Sequence, residues 1–148
     1  MKADINPQTA ETEVHETFDS WLNAVLAMDV DRIMSHYAPD IVSYDAIVQL
    51  QFRGVDAYRR HWQACFDMCP GDMIFDIDDL HIMASGDVAL CYCLTRCGMR
   101  GDDGSEKSGW MRMTAGYRKI AGHWRIVHEH FSVPFDMESG KALFDLKP

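Results

Sequence analysis

The sequence predicts an α+β fold in which three N-terminal helices pack on a strongly bent antiparallel sheet. Three observations carry this prediction. Residues 9–28 repeat apolar side chains at helical spacing. From residue 73 onward the chain alternates apolar and polar residues between short Gly-containing turns. Helical patterns stop at Pro70-Gly71, so helices and strands are segregated along the chain, as in α+β folds. A curved sheet closed by helices encloses a cone with an internal pocket. The 148 residues are expected to form one domain, residues 1–148, long enough to bury roughly 68–70% of the unfolded surface.

The first helix is expected over Thr9–Met28, where Val14, Phe18, Trp21, Leu22, Val25 and Leu26 form one stripe, with Thr9 or Thr12 as cap. A short second helix is expected over Arg32–Tyr37, ended by Pro39. Ile41–Asp45 reads as a short strand and Ile47–Phe52 as its partner. Gly54–Met68 reads as a third helix with Tyr58, Trp62, Cys65, Phe66 and Cys69 on one face. Strands follow over Met73–Ala84, Val88–Met99, Gly109–Ile120 and His123–Val133, the last two joined by the two-residue turn Ala121-Gly122. In the tail from Pro134, Phe135, Leu143, Phe144 and Leu146 give it the means to dock on the sheet.

Charge and composition narrow the function. Fourteen Lys+Arg against 23 Asp+Glu give −9, the wrong sign for a phosphate-binding surface, so nucleic acid is not expected as a partner. No apolar run approaches the ~20 residues of a membrane span, and the polar stretch Met1–His15 does not read as a signal peptide. Five cysteines read as reduced thiols, and a cytoplasmic location is expected. Cys65-x3-Cys69 and Cys91-x-Cys93-x3-Cys97 lack a metal-binding knuckle, and no phosphate loop, nucleophile elbow or dinucleotide motif occurs, so neither metal nor cofactor is expected.

The last hairpin assigns faces. With Ala121-Gly122 as the turn, Tyr117 opposes Ile126, Ala115 opposes His128, Met113 opposes His130 and Met111 opposes Ser132. This set, with Trp124, is expected on the helix-covered face. Arg118 with Arg125, Gly116 with Val127, Thr114 with Glu129 and Arg112 with Phe131 are expected outside; a bulge would exchange the faces. His128 and His130 then enter the interior, as hydrogen-bonded core histidines, as acid/base groups of a pocket, or as an HxH metal pair lacking a third ligand. Asp45, at a strand end, is either a turn-binding Asp or a pocket carboxylate.

Tyr37-Ala38-Pro39-Asp40-Ile41-Val42-Ser43-Tyr44-Asp45, followed by Arg53-Gly54-Val55-Asp56-Ala57-Tyr58, resembles the nuclear transport factor 2 (NTF2)-like superfamily of cystatin-like fold. The nearest likeness there is to ketosteroid isomerases and SnoaL-like polyketide cyclases. Trp124-Arg125-Ile126-Val127-His128-Glu129-His130-Phe131-Ser132-Val133-Pro134 is similar to the HxHxS ending of the calcium/calmodulin-dependent protein kinase II association domain. The likeness spans about residues 9–134. The isomerase resemblance implies that Asp45 is a general base, and that Trp21 replaces the oxyanion-donating Tyr, with Tyr37 and Trp62 as its supporting aromatics. Ala115 stands where that family has its protonated Asp, so the family's own oxyanion hole is missing. Against the association domain, Ala115 also replaces the pocket Arg, and Arg112 lies on the other face.

The functional expectation is a pocket for a small apolar molecule. Its catalytic candidates are Asp45, His128 and His130, and its lining candidates are Trp21, Tyr37, Tyr44, Trp62, Phe66, Met113 and Tyr117. A cofactor-independent isomerase, cyclase or hydratase acting by proton transfer on a carbonyl compound fits this set. The alternative is a non-catalytic binding or oligomerisation module. The mixed outer face, with Arg112, Thr114, Val127, Glu129 and Phe131, suits a homodimer through the sheet.

Overall fold

A computed structural model describes residues 6–148 of the chain. Helix α1 spans Pro7–Leu26, two residues ahead of the expected start, because Asn6 rather than Thr9 or Thr12 caps it and accepts from the Gln8 N–H at 3.1 Å. The stripe holds: Val14, Phe18, Trp21 and Val25 are all buried. Helix α2 covers only Val30–Met34, capped by Asp29. It ends short of Tyr37 because residue 37 already belongs to strand β1, Tyr37–Tyr44, which pairs in parallel with the final strand. Inter-strand pairing therefore outweighs the local helical pattern at Tyr37, and Asp45 falls just beyond the strand end.

Strand β2 is reduced to Phe52–Arg53. The residues expected to pair before it form an outward loop, with Val48 and Leu50 about nine-tenths exposed. Helix α3, Val55–Met68, starts after Gly54, whose φ of 86° suits a glycine, and buries Tyr58, Trp62 and Phe66. Four long strands follow: β3 Asp72–Ser85, β4 Val88–Arg100, β5 Glu106–Ile120 and β6 His123–Ser132. Ala121 and Gly122, both at positive φ, make the expected two-residue turn.

These strands form one bent, open sheet in the order β2-β1-β6-β5-β4-β3, antiparallel except for the β1–β6 pair. Register shifts in β1, in β3 and between β5 and β6 help it curl around α1 and α3. The shift between β5 and β6 has the largest consequence. Tyr117 faces Ile126 as expected, but the next pair is Gly116 with His128, then Ala115 with Glu129 and Met113 with Phe131. Val127 is the extra residue. Beyond it every side chain of β6 lies on the face opposite to the expected one. Glu129 and Phe131 are interior, and His128 and His130 face outward.

The tail docks at the open end of the sheet. The Trp110 N–H donates to the Phe144 carbonyl at 3.1 Å, and the tail folds back on itself through the Phe135–Ala142 bridge. Phe144 sits directly over Gly109: a Cβ there would lie 2.7 Å from Phe144 Cβ. Gly109→Ala is therefore expected to push the tail off the sheet, costing about 1–3 kcal/mol. Limited proteolysis should show faster cleavage after Pro134 in this variant; unchanged protection would mean that the tail does not depend on this contact.

Candidate active site

The site begins where β1 ends. Asp45 follows Tyr44, and its Oδ1 accepts the Ile47 N–H at 3.1 Å, so it binds the turn as a strand-end Asp does. Its other oxygen turns inward. Oδ2 accepts the Tyr58 hydroxyl at 3.1 Å and lies 3.4 Å from Nε2 of His61, and both carboxylate and imidazole are about nine-tenths buried. Tyr58 and His61 are three residues apart on α3, which puts them on the same face. The His61 ring is stacked on Phe52 at 4.2 Å between centroids, and so is held on its flank. Sequence reasoning grouped Tyr58, Trp62 and Cys65 on one helix face and passed over His61, which the same i, i+3, i+4 spacing includes.

A cavity of about 260 Å³ opens beside this pair. Aromatic, methionine and cysteine side chains from α3, β3, β4, β5 and β6 line it, with Phe144 of the tail at its edge. Asp45 and His61 are the only side chains in the lining that carry charge. The volume lies just below the ~300–1,000 Å³ of drug-sized pockets, which points to a compact ligand.

Burial alone would lower the His61 pKa, but hydrogen bonds to Asp45 and Cys65 more than reverse this and push it up to about 9. The imidazole thus carries its proton at neutral pH. The Tyr58 hydroxyl is held well above its ordinary range, first by burial and then by the charges of Glu129 and Asp45, so it remains a donor.

A second polar group lies deeper. The Trp21 indole N–H donates to the Tyr37 oxygen at 3.0 Å, and the Tyr37 hydroxyl donates to Oε2 of Glu129 at 2.5 Å. Glu129 is fully buried, and burial, with the nearby Asp45 charge, pushes its pKa up to about 8 against the tempering bond from Tyr37. It is therefore a neutral carboxylic acid at pH 7. Its Cα partner across the strands is Ala115.

Of the expected site residues, the structure brings Asp45, Trp62 and Phe66 to the cavity wall. Trp21 and Tyr37 are buried in the core, where they form the chain to Glu129. Met113 and Tyr117 face the interior but lie outside the cavity lining. Tyr44 is 41% exposed, and its ring meets His128 and His130 edge-on on the outer face at 4.7 and 5.6 Å. The interior placement expected of His128 and His130 is thus corrected: the bulge at Val127 carries both outward. His128 Nδ1 donates to the Val42 carbonyl at 2.6 Å instead. Glu129, expected outside, takes the interior position. A signal for this was in the sequence: Trp124 and Ile126 set an even-numbered inner face, and Phe131 needs an odd one.

The raised Glu129 pKa has a defined sign. In the folded state the carboxyl binds its proton more tightly than its ordinary 4.5, so its contribution is fully present below about 4.5 and lost as pH rises through about 8. His61, raised from 6.5 to about 9, loses its contribution in the same alkaline direction. Melting temperature should therefore fall from mildly acidic to alkaline pH. Glu129→Gln, a neutral isostere, should remove the part lost between about 4.5 and 8 and be at least as stable as the parent at pH 8. Glu129→Ala should cost about 2–4 kcal/mol by leaving a cavity and an unpaired Tyr37 hydroxyl. A glutamine variant that melts far below the parent at pH 8 would show that the charged form is the one accommodated.

The SnoaL-like domain family matches residues 14–136. An NTF2-like protein of unknown function from Pseudomonas putida is 50% identical over 95% of this chain and 98% of its own, with a TM-score of 0.89. A candidate dehydratase of the NTF2-like family from Streptomyces avermitilis is 18% identical over 86% of this chain and 97% of its own, with a TM-score of 0.76. A ketosteroid isomerase-like protein from Erwinia carotovora is 18% identical over 82% of this chain and 94% of its own, with a TM-score of 0.69. The last two show likeness of fold alone. None of the curated proteins matches the chain. Among the described residues, no helix is long and apolar enough to cross a membrane. With the family match covering most of the chain and a half-identical structure superposing along nearly all of it, the protein belongs to the SnoaL-like family of the NTF2-like superfamily.

Proposed function

We propose that the cavity binds a small apolar carbonyl compound and that Asp45 and His61 move a proton on it without a cofactor, as an isomerase, cyclase or hydratase does. One observation carries the reading: an apolar cavity whose only charged lining groups among the described residues are a carboxylate and an imidazole 3.4 Å apart. Proton abstraction next to a carbonyl needs a placed base and a donor for the oxygen on which charge develops. Asp45 supplies the carboxylate and His61, charged at neutral pH, the donor. Tyr58 and the Ile47 N–H hold the carboxylate in place from the other sides. His61 takes the role first assigned to His128 and His130.

Solvent-deuterium exchange into a panel of cyclic ketones and enones, followed by mass spectrometry, tests this. Exchange should fall about 10²-fold or more in Asp45→Asn and in His61→Gln. Asp45→Asn should keep its stability within about 1 kcal/mol, since the amide oxygen still accepts the Ile47 N–H and the amide NH₂ donates to the Tyr58 oxygen, which rotates its hydroxyl to accept. The rate should drop as pH rises through about 9, where His61 loses its proton. Silence across the panel, with a ligand demonstrably bound in the cavity, would overturn the catalytic reading in favour of a binding module.

A second reading concerns assembly. The outer sheet face collects Tyr44, Leu90 and Tyr92, each about two-fifths exposed, around the outward histidines. This mixed apolar surface supports a homodimer through the sheet. Light scattering should give twice 16.9 kDa; a stable monomer at high concentration would contradict it.

A further inference from the structure

Cys65, Cys69 and Cys97 line the cavity, and the proton-transfer reading uses none of them. Their surroundings differ. Cys97 is half-buried, and desolvation pushes its thiol up to about 12, which leaves it protonated at neutral pH. Cys69 is exposed at the end of α3. Cys65 has its sulfur against a protonated imidazole: Sγ stands 3.8 Å from Nε2 of His61, the nitrogen that also faces Asp45. The i, i+4 spacing on α3 builds this contact into the helix. The same wall contains Trp62, which is 8% exposed and whose indole N–H is buried without a partner.

We propose that Cys65 is a nucleophile that captures α,β-unsaturated carbonyl compounds entering the cavity, with His61 carrying the proton. This rests on the cavity being a site for small apolar carbonyl compounds and narrows that class to conjugated enones and enals. The step is an addition. The Cys65 S–H proton leaves to water as the sulfur lone pair forms a C–S bond at the β-carbon, with the protonated His61 imidazole beside the sulfur. The C=C pair moves to the α-carbon and oxygen as an enolate, and protonated His61 gives its proton to the α-carbon and regains one from water. One S and one H add across the double bond; nothing is oxidised or reduced. The Asp45 carboxylate helps push the His61 pKa up to about 9, so a charged imidazole stands 3.8 Å from the sulfur at neutral pH. The unpartnered Trp62 N–H is a donor of the kind a developing enolate oxygen needs.

The test is incubation of the protein with 2-cyclohexenone, followed by intact-mass and peptide mass spectrometry. One adduct per chain should form and map to Cys65 before Cys69, although Cys69 is the more exposed. Cys65→Ser should abolish that adduct. His61→Gln, checked for folding by circular dichroism, should slow it tenfold or more while leaving iodoacetamide labelling of Cys69 unchanged. Cys69 reacting first, or a Cys65 rate indifferent to His61, would overturn the proposal. Deuterium exchange into cyclohexenone without an adduct would overturn it and leave the proton-transfer reading standing; an adduct without exchange would support it and count against turnover.

Discussion

Val127 is one residue more than the β5–β6 ladder needs, and the interior depends on where that extra residue goes. Side chains alternate across a strand, so without the bulge Trp124, Ile126, His128 and His130 would share the inner face and Phe131 would be left outside. The bulge instead buries Phe131 together with one carboxyl, Glu129. Burying a charged carboxylate in such a core costs several kcal/mol, whereas a protonated one bonded to a tyrosine costs far less. The fold therefore selects the neutral form of Glu129.

From that acid, polar groups reach toward the cavity. Tyr37, which accepts the Trp21 N–H, donates to one oxygen of Glu129, and Tyr58 is bonded to Asp45. Asp45 in turn holds His61, which meets Cys65. The resemblance to ketosteroid isomerases implies a base at Asp45 and a protonated carboxyl at a strand position occupied here by Ala115. In the structure Asp45 lies at the cavity wall, and the residue paired with Ala115 on the neighbouring strand is Glu129.

Most of the fold was legible because it rests on periodicity. The α1 stripe, the α3 face, the meander and the Ala121-Gly122 turn all follow from local spacing and turn chemistry. Tyr37 was misread as helical because its strand exists only through pairing with β6, eighty-nine residues on at Ile126. The site was legible in part. Asp45, Trp62 and Phe66, expected from the resemblance and from helix spacing, line the cavity. His128, His130 and Glu129 were placed on the wrong faces because a bulge of one residue leaves only a faint mark, the mismatch in parity between Ile126 and Phe131. His61 was missed because its importance comes from Asp45, a partner sixteen residues earlier that the folded chain brings within 3.4 Å.

The central claim is that a neutral carboxylic acid lies at the centre of the core, and infrared spectroscopy reads it directly. Difference spectra of the parent against Glu129→Gln at pH 6–7 should contain the C=O stretch of one protonated carboxyl in a dry environment. That band should give way to the carboxylate bands as pH rises through about 8. A carboxylate signal for Glu129 already at pH 6, with no protonated band, would contradict the account.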